Sequence, residues 1–221
     1  MDGKSTDTTT GILKKYGKNI RWVSKKDKGQ TDAINRGIKQ AGKKSFDFFA
    51  YINSDDYYLP GTFEKVTQAF AEHPEAMWLV GDCQIVDARG GRIQKPIQWY
   101  KKIWRDCYQP WMLLVLNPFP QPAVFLRYDA VKKIGSFDQQ LRYVMDYEYW
   151  LRLQEKFGPP FFLHDELAAF RIHNTSKSGT QFTKQFSEEL QVVKHFTKQP
   201  VSLFLHRLHN GLIIRVYSLI K

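Results

Sequence analysis

Two adjacent carboxylates, Asp55 and Asp56, close the apolar and aromatic run Phe48-Phe49-Ala50-Tyr51-Ile52 and are followed by Pro60-Gly61. Side by side they repel each other unless a cation joins them. Hard divalent ions such as Mg²⁺ or Mn²⁺ favour such oxygen ligands, one or two carboxylates with phosphate oxygens completing the shell. Asn, Ser and Asp equally suit a turn or a helix N-cap, so metal ligation and local capping both stand at this point.

The elements around the pair decide what it can reach. The run before it reads as a buried strand, and in open α/β sheets ligands bind beyond the carboxyl ends of strands. Upstream, Thr9 to Tyr16 is expected as a short helix and Ile20 to Ser24 as a short strand. Gln30 to Ala41 repeats Ala33, Ile34, Gly37, Ile38 and Ala41 at helical spacing and is closed by Gly42. Downstream, Gly61 to Glu72 is predicted helical with Phe63, Val66, Ala69 and Phe70 on one face, then Met77 to Val86 as a strand. This alternation predicts an α/β fold with a mostly parallel sheet and helices on both faces. Ile93 onward is expected to return as a paired strand, and 99–120, rich in Trp and Pro, as a mobile aromatic segment. Gln121 to Arg127 reads as a strand, Asp129 to Ile134 as a helix, and Asp146 to Phe157 as a helix with Trp150, Leu151 and Leu153 inward. Phe161 to Leu163 and Leu167 to Ile172 read as short strands, and His173 to Thr180 as a loop.

The 221 residues suffice for one sizeable domain with an appendage, and 43% hydrophobic content argues against disorder. A formal charge of +11 points to an anionic partner: nucleic acid, nucleotide phosphates or an acidic membrane face. Lys and Arg are spread along the chain and no RNA- or DNA-binding motif is present, which weighs against a basic nucleic-acid-binding module. Cys83 and Cys107 form neither a metal spacing nor a disulfide framework, so a cytoplasmic setting is expected. No run of about 18 apolar residues suggests a membrane span. From Val201 to Lys221, apolar residues follow helical periodicity among His206, Arg207, Arg215 and Lys221. Such a helix could lie on an anionic membrane surface or pack on a partner, but an ordinary domain-closing helix with a core face is the first expectation.

Several motifs fall into one order: Asp2-Gly3-x-Ser5-Thr6-Asp7; Asp27-Lys28-Gly29-Gln30-Thr31-Asp32-Ala33-x-Asn35-x-Gly37; Asn53-Ser54-Asp55-Asp56; Gly135-x-Phe137-Asp138; Asp146-Tyr147-Glu148-Tyr149-Trp150; and Arg171-x-His173-x-x-Ser176. Together they resemble the family 2 glycosyltransferases, inverting enzymes with the GT-A nucleotide-sugar fold, over about residues 1–180.

The resemblance implies a partial GT-A domain at 1–180 and a C-terminal helical segment at 181–221. It implies transfer of a sugar from a nucleotide-diphospho-sugar, with a lean to UDP, onto a saccharide or lipid-linked acceptor at the inner face of the cell membrane. Asp2 matches the carboxylate that contacts the donor base, and Asp27, Lys28 and Asp32 match the segment lining the nucleotide pocket. Asp55 and Asp56 match the DxD-type pair that holds Mn²⁺ or Mg²⁺ on the diphosphate, with Asn53 where an Asp is common. His173 matches a histidine that approaches the metal. Asp146 matches the catalytic base, with Glu148 as the neighbouring alternative; taken by itself Asp146 also suits a helix start. The family's domain opens with a further strand, helix and strand ahead of the Asp-Gly-x-Ser loop. The resemblance therefore implies a partial domain, and a catalytically impaired nucleotide-sugar-binding remnant is the competing expectation.

Overall fold

The computed structural model describes residues 1–42, 46–172 and 182–220. Five strands, β1 (Phe48–Phe49), β2 (Tyr57–Tyr58), β3 (Trp78–Val86), β4 (Val124–Arg127) and β5 (Phe161–Arg171), form one sheet in the order β1-β4-β3-β5-β2. The helices are α1 (Thr9–Lys15), α2 (Gln30–Ala41), α3 (Thr62–Glu72), α4 (Lys95–Asp106), α5 (Tyr128–Ile134), α6 (Met145–Phe157), α7 (Phe182–Phe196) and α8 (Pro200–Ile220).

Alternation along the strands places the core on both faces. Trp78 and Val80 of β3 join Val124 and Leu126 of β4 under α5, α6 and α7. Leu79, Phe125 and Leu167 point the other way, onto Val66, Ala69 and Phe70 of α3. The α/β class is therefore as the sequence predicts. The pairing is mixed rather than mostly parallel. β3 and β5 run parallel, whereas β1–β4, β3–β4 and β2–β5 are antiparallel. β4 re-enters beside β3 after the long excursion through α4, and β5 returns only after α5 and α6 have carried the chain back across.

Several local expectations change for physical reasons. Only Phe48 and Phe49 of the run before the carboxylate pair form a strand, and they are half-buried, because only Leu126 and Arg127 pair with them. Ile20–Ser24 reduces to a single bridge between Asp2 and Ser24. Phe63 is 62% exposed; α3 instead turns Val66, Ala69 and Phe70 inward and anchors Thr62 Oγ1 on Leu167 O at 2.5 Å. After a bridge from Val86 to Arg92, the segment expected to be a strand and then irregular folds as α4. Pro96 sits in its first turn, where a missing N–H costs little, and Ile97, Tyr100 and Trp104 recur at helical spacing.

The two short strands expected after residue 160 are one strand. Its register against β3 shifts at Gly81–Asp82 and Asp82–Cys83, an irregularity that absorbs the polar stretch between them. Gly81 is needed there because a Cβ would run into the Leu167 side chain. At the C-terminus, α7 feeds Val192 and Val193 into the main core, and α8 packs on α7 and on the 3-10 turn Pro110–Leu114. His173, its loop and the boundary expected at residue 180 lie outside the described residues.

Candidate donor and catalytic site

The first loop is pinned by its aspartate. Asp2 N donates to Val23 O at 2.8 Å and Lys25 N to Asp2 O at 2.9 Å. Its carboxylate accepts from Ser24 Oγ and Ser5 Oγ, both at 2.5 Å, and from the backbone N–H groups of Ser5 and Lys4. These donors, Ser24 first, hold the Asp2 carboxyl below its ordinary value. Gly3 then passes so close to the second motif that a Cβ would lie 2.7 Å from Asp27 Oδ2.

The Asp27–Asp32 segment closes on itself. Asp27 Oδ1 accepts from Gly29 N at 3.0 Å, and Gly29 takes a φ of 119° that suits glycine. Asp32 accepts from Lys28 N at 2.9 Å and pairs with Arg36 at 2.8 Å. A carboxylate in the first turn thus satisfies an N–H ahead of α2 and complements the helix dipole.

The helix that follows gathers the other motifs. Gln30 Nε2 donates to Asn53 Oδ1 at 2.5 Å, tying α2 to the carboxylate-pair loop. Thr31 Oγ1 lies 2.7 Å from Met145 Sδ, next to Asp146. Asn35 makes a reciprocal pair with the Phe137 backbone, donating to its O at 2.8 Å and accepting from its N at 2.9 Å. Segments about 20 to 110 residues away are therefore fastened to one turn and a half of helix.

Asp56 is buried, with Oδ1 accepting from Arg171 N at 2.8 Å and Oδ2 from Asn53 Nδ2 at 3.0 Å. Arg171 also donates through Nε to Asp55 O at 2.9 Å and through Nη1 to Ala88 O at 2.7 Å, with its guanidinium over the Tyr57 ring. Burial raises the Asp56 carboxyl against the opposing pull of these hydrogen bonds. The local capping role is thus real for Asp56, yet each oxygen keeps a lone pair for a cation. The donor set, two hard carboxylates, fits Mg²⁺ or Mn²⁺. Among the described residues no group of three or more His, Cys, Asp or Glu converges, so phosphate oxygens and water would complete the shell.

Asp146 stands in the first turn of α6 with Oδ1 accepting from Tyr147 N at 2.8 Å. Burial pushes its carboxyl up, and the positive charge of Lys101 on α4 works in the opposite direction. The buried Tyr51 hydroxyl feels the Asp146 charge and has no hydrogen-bond partner among the described residues. An open donor beside a desolvated carboxylate suits a polar ligand. Glu148 is differently placed: Arg152 holds both its oxygens, at 2.7 and 2.9 Å, and also donates to Ile134 O and Ser136 O. That pair braces the Gly135–Phe137 turn.

Tyr51, Lys101 and Glu189 are absent from the sequence-derived site, and Arg171 figured there only as the neighbour of His173. Glu189 on α7 accepts from Gln185 and Asn210, and burial pushes it up to about 7, with the charge of Asp146 adding and Lys101 opposing. Lys101 was hidden in the segment read as irregular.

A mixed sheet covered by helices on both faces, with an acidic loop fastened to α2, is similar to the architecture of the GT-A glycosyltransferases. The mannosyltransferase PcManGT from Pyrobaculum calidifontis, solved with GDP-Man and Mn²⁺, superposes with a TM-score of 0.69 at 12% identity over 98% of this chain and 62% of its own. TarS 1–349 of S. aureus in complex with UDP gives 0.60 at 16% identity over 87% and 53%. The description "Glycosyl transferase family 2" matches residues 1–135, and the chain belongs to that family. It is 30% identical over 170 residues to the amylovoran biosynthesis glycosyltransferase AmsE of Erwinia amylovora, covering 76% of this chain and 60% of AmsE. It is 25% identical over 218 residues to an uncharacterized glycosyltransferase of Rickettsia typhi, covering 94% and 65%. The chain spans less than two thirds of either relative.

Proposed function

We propose that this chain carries the donor-binding and proton-accepting parts of an inverting glycosyltransferase using a nucleotide-diphospho-sugar, most simply a UDP-sugar. The observation that supports it best is the fastening of Asn53, Met145 and Phe137 to α2, which puts the carboxylate pair and Asp146 around one helix start. Asp2, Asp27, Lys28 and Asp32 form the nucleotide side. Asp55 and Asp56 would hold Mn²⁺ or Mg²⁺, which stabilises the charge developing on the departing diphosphate.

In this reading Asp146 takes the proton of the acceptor hydroxyl as its oxygen bonds to the anomeric carbon. The bond from that carbon to the diphosphate oxygen breaks, and attack from the opposite side inverts the centre. Desolvation raises the basicity of the Asp146 carboxylate against the opposing pull of the Tyr147 N–H. The acceptor is a saccharide or a lipid-linked one, in synthesis of a surface polysaccharide or glycolipid at the cytoplasmic side of the membrane. The amylovoran relative supports the polysaccharide reading. Calorimetric titration of UDP with Mn²⁺ or EDTA, followed by a donor-turnover assay, tests the proposal. Mn²⁺-dependent binding lost in Asp55→Ala, with turnover lost in Asp146→Asn, is the expected result. Binding without turnover in the unaltered chain would favour the impaired remnant instead.

A further inference from the structure

The last helix packs Leu203 on the core yet carries a second apolar face outside. α8 turns His206 and Asn210 inward, at 1% and 6% exposure. His206 Nδ1 lies 3.2 Å from Leu114 O, and Asn210 Nδ2 reaches Glu189 Oε2 at 3.3 Å and His206 Nε2 at 3.0 Å. The other face carries Val201, Phe204, Leu208 and Leu212, spaced by three, four and four residues and 68%, 64%, 50% and 51% exposed. A helix that only closes a domain keeps its outer face polar.

This stripe does not stand alone. His209 Nε2 and Tyr100 Oη meet at 2.7 Å, joining α8 to α4, and His206 joins α8 to the Pro110–Leu114 turn. On α4, Ile103 and Trp99 follow Tyr100 round the helix and are 39% and 68% exposed; Trp111 on the turn is 53% exposed. Single exposed apolar residues are ordinary, but seven on three touching elements are not. The charge on α8 is basic, and Asp106, exposed on α4, lies 3.4 Å from Lys102 Nζ. From Lys198 to Ile220 the sequence has no Asp or Glu, Arg207 is exposed on α8, and Lys95 is exposed on α4.

We infer that α4, the Pro110–Leu114 turn and α8 form a docking face for an anionic membrane surface. Among the described residues no helix is long and apolar enough to cross a membrane, so the contact lies in the interface. The aliphatic and Phe side chains would enter the acyl boundary, the two Trp rings would sit at headgroup level, and the basic side chains would meet lipid phosphates. The inference is independent of the donor-site reading.

Co-sedimentation of the full chain with vesicles of equimolar phosphatidylcholine and phosphatidylglycerol, against phosphatidylcholine alone, tests it. Binding to the anionic vesicles that weakens with salt is expected, with loss of about tenfold or more in partitioning for Phe204→Ser/Leu208→Ser. Should that variant fail to fold by circular dichroism, Lys95→Glu/Arg207→Glu gives a second reading, with weaker binding at low salt expected. The inference is overturned if the unaltered chain stays in the supernatant with anionic vesicles, or if a folded variant partitions like the parent. It is also overturned if light scattering shows a dimer that Phe204→Ser/Leu208→Ser dissociates, since a second copy then covers the face.

Discussion

The nucleotide-side loops and the start of α6 use the same side chain, aspartate, in opposite circumstances. At Asp2, two hydroxyls and two backbone N–H groups aim at one carboxylate and hold it below its ordinary value. At Asp146 the same group accepts from the adjacent Tyr147 N–H, and burial raises it. Asp32 Oδ2 is likewise engaged, by Lys28 N and Arg36. Asp56 lies between the two cases, donor-bonded on both oxygens yet buried enough to be raised. Where hydrogen-bond donors outweigh burial the carboxyl is lowered, as suits a structural anchor; where burial outweighs them it is raised, as a base requires.

The largest effect that sharpens this contrast is expected at Asp146→Asn. Sugar transfer should fall by about 10²- to 10⁴-fold, while UDP affinity is kept and the melting temperature holds or rises. A collapse of folding in this variant would break the contrast by making Asp146 an anchor too. Next come the two members of the pair. Asp56→Ala should lose about 1–3 kcal/mol of stability in urea melts, because Arg171 N and Asn53 lose a buried acceptor, and should lose donor binding with it. Asp55→Ala should abolish Mn²⁺-dependent UDP binding in calorimetry.

Stability against pH separates the classes further. Asp2, held low, contributes stability that is present above its unfolded value near 3.8 and is lost as pH falls through its folded value. Glu189, raised from 4.5 to about 7, contributes in the opposite sense. Its stabilising effect is full below pH 4.5 and is lost as pH rises through about 7, so Glu189→Gln should flatten the fall in melting temperature between those limits. The smallest effect is expected at Tyr51→Phe. Removing its unpartnered hydroxyl should change stability by less than about 1 kcal/mol, while KM for acceptor or donor rises if the hydroxyl serves a ligand.

Much of this was legible in the residues. The bounds of α2 follow from its apolar spacing and Gly42, and the start of α6 from its inward Trp150, Leu151 and Leu153. The ordered motifs marked Asn53, Phe137 and the start of α6, which contacts from α2 tie to one helix. What holds them was not readable, because the contacts of Thr31 with Met145 and of Asn35 with Phe137 join residues more than 100 positions apart. The strand at residue 48 looked longer than it is because an apolar run does not reveal how much partner strand is available. α4 was missed because Trp and Pro obscured its period, and Lys101, the counter-charge to Asp146, went with it. The two possible bases, Asp146 and Glu148, could be separated only by seeing Arg152 take both oxygens of the second.

The contrast between anchor and base is tested most directly by following aspartate carboxyl carbons by NMR through a pH titration, with Asp2→Asn and Asp146→Asn supplying the assignments. The account predicts that the Asp146 signal titrates above 3.8 and the Asp2 signal below it. An Asp146 carboxyl titrating at or below 3.8 would contradict it.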